Sequence, residues 1–185
     1  MPLIGLKDLY VATIDATNAY AAPVRLAKAI EASITPNVST VTLYADDGAA
    51  ETASSIGNIE VTLNVDDLSS DSYALIMGKT PNADGVIMEG SEDSPPYLAL
   101  GFRSLKSNGA YRYVWLYKGR FQLSEEAYKT KGEEVEFQTP SVSATFVANE
   151  DGQWRARVDS DDTGVNQTVI ESWFTAVYTG PAPTV

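Results

Sequence analysis

The 185 residues contain no histidine and no cysteine, which removes most of the chemistry available to a chain of this size. Ser-His-Asp and Cys-His nucleophile systems cannot be built, and the ordinary zinc, iron and copper sites lose their usual ligands. Carboxylates, a Ser-Lys pair and an all-oxygen site for a hard cation remain. Asp159, Asp161 and Thr163, followed by Gly164, have the spacing that opens a calcium loop. Position twelve of that loop falls on Ile170, however, with Glu171 one place late. An acidic turn ahead of a helix therefore accounts for the segment without metal. The adjacent acids Glu125-Glu126 and Glu133-Glu134 suggest a glycosidase pair, but neighbours on a strand point to opposite faces. Tyr111, Tyr113, Trp115 and Tyr117 would form a sugar-stacking row if exposed. Packing in a core or a subunit interface is the simpler expectation for them. No cofactor is expected.

The elements that position these residues are read mainly as strands. Leu98 to Leu123 reads as two long strands joined at Ser107-Asn108-Gly109, a polar turn containing glycine. In the second strand Tyr111, Tyr113, Trp115 and Tyr117 share one face, and Arg112, Val114, Leu116 and Lys118 the other. Further strands are predicted at Leu9–Ile14, Val38–Tyr44, Val86–Glu89, Val135–Phe137 and Val142–Val147. Ile59, Val61, Leu63 and Val65 alternate with polar residues, as in a strand with one buried face. Ala45–Asn58 reads as a small acidic loop. Asp151-Gly152 reads as a hairpin turn into Trp154–Val158. Val24–Ile34 fits either a helix or a strand, ended by Pro36. A short helix is expected after Ser69 or Ser70, stopped by Gly78. The four-residue recurrence of Val165, Val169, Trp173 and Val177 predicts a C-terminal helix or helical turn. No internal repeat or linker appears, so residues 1–185 form a single domain with a flexible tail at 179–185.

Composition agrees with a folded globular chain: 44% hydrophobic and 21% charged. No apolar run approaches the roughly 18 residues of a membrane span. The N-terminus has neither the basic start nor the apolar centre of a signal peptide, so synthesis in the cytoplasm is expected. A net charge of −12 opposes a grip on nucleic acid. Arg103, Lys106, Arg112, Lys118 and Arg120 concentrate around the central hairpin. They are either solvated strand faces or contacts for an acidic neighbouring copy.

Several segments in order resemble one family: Gly5-Leu6-Lys7-Asp8-Leu9-Tyr10, Leu43-Tyr44-Ala45-Asp46-Asp47 with Ala50-Glu51, and Ala99-Leu100-Gly101-Phe102. Ser107-Asn108-Gly109, the run from Tyr113 to Gly119, Phe137-Gln138-Thr139-Pro140 and Trp173-Phe174 continue the series. Together they span about residues 5–178 and are similar to the major tail proteins, or tail tube subunits, of long non-contractile-tailed bacteriophages. The resemblance implies a mainly β fold, an antiparallel β-sandwich or partial barrel with one short flanking α-helix. It also implies a structural virion protein without catalytic residues, made in the bacterial host and closing as six copies into rings that stack as a tube. Implied partners are further copies of itself, the tape measure protein, the tail terminator and distal tail proteins. DNA would pass through the lumen without specific binding, and the chain would not insert into a membrane.

On that expectation Asp46, Asp47 and Glu51 project toward the next ring, or form a solvated loop. Glu60, Thr62, Glu134, Glu136 and Gln138 are candidates to line the bore, or lie on an outer face. Arg112, Tyr113, Trp115, Tyr117 and Lys118 are candidates for the subunit interface. The alternative is a β-sandwich carbohydrate-binding or adhesion module using Tyr111, Tyr113, Trp115 and Tyr117. A carboxylate hydrolase is a third.

Overall fold

The computed structural model describes residues 1–45, 48–122, 128–130 and 137–181, with the backbone alone at 44, 45 and 48–50. The elements run β1 (Leu3–Thr13), β2 (Val24–Ala27), β3 (Ala29–Ala45), β4 (Gly48–Val65), α1 (Ser70–Met77), β5 (Leu98–Lys106), β6 (Tyr111–Gln122), β7 (Ser141–Val147), β8 (Arg155–Asp159) and α2 (Gln167–Glu171). The strands form one antiparallel sheet in the order β2-β1-β5-β6-β7-β4-β3, with β8 added on β6. The fold is therefore mainly β with a short flanking helix, as expected.

β2 and β3 stand at opposite ends of the strand order, yet only Lys28 separates them in the chain. One residue bridges only a few ångströms, so the sheet curls until its two edges approach. It forms a partial barrel and does not close. Asp66 fastens the junction: its carboxylate accepts from the Lys28 N–H at 3.0 Å, and its own N–H donates to the Lys28 carbonyl at 3.0 Å.

The inside of the curl is the core. Ile59, Val61, Leu63 and Val65 of β4 all point there, alongside Leu100 of β5 and Phe146 of β7. The strict alternation of β4 demands this, because burying such a row contributes about 1.5–3 kcal/mol per side chain. Helix α1 closes one side with Ile76 and Met77. Ser69 caps it by accepting from the Ser72 N–H at 3.2 Å, and Gly78, at φ 66°, ends it in the left-handed region.

Several elements differ from expectation. Val24–Ile34 is strand on both sides of Lys28, and Pro36 shifts the register of β3 without ending it, because β3 is an edge strand with no outer neighbour among the described residues. A missing N–H is tolerated there. The supposed loop 45–58 is largely the start of β4, which extends the β3–β4 hairpin well beyond the core. Val86–Glu89 is not a strand; Val86 instead closes a turn on Asn82, whose side chain accepts from the Val86 N–H at 2.9 Å. The turn at Asp151-Gly152 exists, but the strands flanking it do not pair with each other. β7 pairs with Lys118–Gln122 and β8 with Arg112–Leu116, so the two share one side of β6. The C-terminal helix is limited to the five residues of α2. Of the strand expected at Val135–Phe137, Phe137 alone is among the described residues; it is exposed and belongs to no strand. Residues 182–185 of the expected tail also lie outside the described residues.

Candidate assembly surface

The outer side of β4 carries the residues that alternate with its core row. Register sets them in rows across four strands: Arg120, Thr145, Glu60 and Thr35, then Gln122, Ser143, Thr62 and Ser33. Short hydroxyl and amide side chains dominate, and hydrogen bonds link side chains on adjacent strands. Gln122 donates to Thr145 at 2.8 Å, Asn64 to Glu31 at 3.1 Å, and Asn37 to Glu60 at 3.3 Å. Such a face is polar and nearly free of large apolar groups. Sequence alternation placed Glu60 and Thr62 on it; their companions from β3, β6 and β7 required the strand order.

The same hairpin continues past Pro36 and Ile59 as a two-stranded arm. A register shift between Pro36 and Val38 marks its base. Beyond it Val38, Val41 and Leu43 are 57%, 68% and 59% exposed, and Ile56 is also exposed. No charged residue occurs from Ala32 to Ala45 or from Thr52 to Ile59, in a chain that is 21% charged. Isolated edge strands ordinarily carry charge, proline or a cover to prevent pairing. This arm has apolar side chains on an open edge. The charge-free run was the signal in the sequence that could have found it.

The other expected site residues fall elsewhere. Glu51 is exposed on the arm, directly opposite Leu43. Asp46, Asp47, Glu134 and Glu136 lie outside the described residues. Gln138 is not on the polar face; its side chain bonds the backbone of Lys129, accepting at 3.1 Å and donating at 3.1 Å.

Of the two roles expected for the aromatic row, core packing and a subunit interface, its central rings take the first. Tyr113, Trp115 and Tyr117 are buried beneath the C-terminal segment of their own chain, packed with Trp173 and Val177. Trp115 is fully covered and donates its indole N–H to the Trp173 carbonyl at 3.0 Å. Tyr117 donates to the Tyr178 carbonyl at 2.7 Å, and desolvation pushes its hydroxyl pKa up to about 12. Phe174 stacks on Tyr10 at 4.7 Å between ring centroids. These rings offer no open face to a neighbouring subunit or to a sugar, because residues far along the chain already occupy it.

Arg112 is likewise engaged. It forks onto Asp159 at 2.7 and 2.8 Å, while Lys106 reaches Asp159 at 3.1 Å and Asp161 at 2.5 Å. Arg112 and Lys106 hold the Asp159 carboxyl far below the usual carboxylate range. The segment that resembles a calcium loop thus has Asp159 and Asp161 paired with the protein's own cations, with Lys106 between the two carboxylates. Arg103 pairs with Asp8 at 2.5 Å. Lys118 and Arg120 meet no carboxylate among the described residues; Arg120 lies 3.9 Å and Lys118 5.2 Å from the centroid of the Tyr97 ring.

No family model matches the chain, and no curated protein matches it. Among the described residues no helix is long and apolar enough to cross a membrane.

Proposed function

We propose that the chain is a tail tube subunit of a long-tailed phage, acting by self-assembly and not by catalysis. The observation that carries this reading is the continuity of the four-strand polar face with an open-edged arm whose exposed side chains include Val38, Val41, Leu43 and Ile56. A polar sheet face nearly free of large apolar groups suits the wall of a conduit. An open apolar edge suits pairing with a sibling, and ring closure leaves no edge exposed. The sequence resemblance supplies the ring of six and the stacking of rings. In such a ring Glu60 and Thr62 face the bore, and a chain of net charge −12 repels DNA from the wall, so the genome slides without sticking. The tape measure protein, the terminator and the distal tail proteins are the remaining partners, and the virion tail is the location.

Electron microscopy of the concentrated protein, carried to an atomic model of the polymer, tests this. Hollow tubes with the Glu60–Thr62 face turned inward are expected. Solid fibres, or an assembly with that face turned outward, would overturn the reading.

A further inference from the structure

Beside the polar face lies a groove of about 600 Å³, walled by Met77, Pro95, Tyr97, Phe121 and Val147, with Arg120 at its edge. The acidic residues within it are already engaged. Asp93 is paired with Lys79 and accepts from the Gly90 N–H, and Glu89 accepts from the Tyr73 hydroxyl. Arg120 and Lys118 are placed differently: both rest on Tyr97, with no carboxylate partner among the described residues. A trough with apolar walls and an arginine that meets no carboxylate among the described residues, on a chain this acidic, is built for an apolar side chain next to an acid.

The arm carries that combination. Leu43 and Glu51 are directly opposed on β3 and β4, so their side chains stand together on one face. The arm cannot deliver them to its own groove. Ile59 pairs with Phe146, next to Val147 on the groove wall, and Glu51 lies eight residues further along β4. At the usual rise per strand residue, Glu51 stands about 25 Å from that wall. We infer that the groove is the receptor for the arm of a second copy, with Leu43 entering between Tyr97 and Val147 and Glu51 meeting Arg120. This rests on the self-assembly reading and gives it a specific contact.

The chain has no cysteine, so single introduced thiols report the contact directly. Leu43→Cys and Val147→Cys proteins, mixed and oxidised, are expected to give a disulfide-linked pair. Its yield should exceed that of Leu43→Cys mixed with Val24→Cys, an exposed position on β2, by at least about tenfold. Adding Arg120→Glu to the Val147→Cys copy should lower the yield by about tenfold, equivalent to about 1.4 kcal/mol, since it sets like charges against each other at the contact. Adding Glu51→Arg to the Leu43→Cys copy should restore it. A yield no higher than the Val24→Cys control, or one indifferent to Arg120→Glu, overturns the inference even if tubes form. Specific cross-linking without hollow tubes keeps the groove as receptor and removes the tube reading instead.

Discussion

Trp115, in the middle of β6, donates its indole N–H to the carbonyl of Trp173, 58 residues later in the chain. The bond ties the outer face of the sheet to the C-terminal segment that covers it. The same ring crosses Gly101 on β5: a Cβ there would meet Trp115 Cζ3 at 2.6 Å. Trp115→Ala should destabilise the fold by about 3–5 kcal/mol, and Gly101→Ala by about 1–3 kcal/mol through overpacking. Urea unfolding followed by circular dichroism measures both. The double variant should cost less than the sum, since the glycine is needed only because the indole is there.

Asp159 joins β8 to the central hairpin through Lys106 and Arg112. Its folded pKa is depressed, so its contribution is fully present above the unfolded value of about 3.9 and is lost as pH falls through the folded one. Stability should therefore hold through neutral pH and decline below about pH 4. Asp159→Ala should cost about 3 kcal/mol at pH 7 by leaving Arg112 without its carboxylate and buried Lys106 with Asp161 alone. It should also flatten the acid limb of a stability–pH curve. An unchanged acid limb would show that other carboxylates set it.

Tyr117 gives the opposite sign at high pH. Burial raises its pKa to about 12, so its contribution is intact below the unfolded value of about 10 and is lost as pH rises toward 12. Tyr117→Phe should cost about 1 kcal/mol at pH 7 through the lost bond to Tyr178. Its stability should then fall less steeply between pH 10 and 12. Ultraviolet titration of the phenolates should show one late-ionising tyrosine fewer.

The arm can be altered without touching the core. Val41 is 68% exposed on the open edge of β3, so Val41→Lys should leave unfolding free energy within about 0.5 kcal/mol. A charge on that edge should nevertheless suppress assembly. Sedimentation velocity across a concentration series reads the second effect and thermal unfolding the first. Unimpaired polymer formation would exclude the arm as an assembly element.

Periodicity made much of the fold legible. The β5–β6 hairpin, the alternating row of β4 and the capped helix α1 were all readable, because each is specified within a few residues by pattern and turn chemistry. β3 was readable only in its second half, Val38–Tyr44, because Pro36 looks like a breaker until the strand is known to lie at an edge. The pairing of β8 with β6 was hidden for a similar reason: the turn at Gly152 gives the chain's reversal but not the strand that receives it.

The same division holds for the candidate site. Sequence alone determined that the chain lacks histidine and cysteine and the chemistry that needs them, that it is acidic, and that Glu60 and Thr62 oppose a buried row. Tertiary structure decided which faces are free. Alternation left the aromatic row of β6 to a core or to a subunit interface, and Trp173 and Phe174 cover it, while Lys106 fills the acidic turn that resembled a cation loop. Exposure depends on contacts between residues distant in the chain, and these become definite only when the sheet has curled and its ends have packed against it.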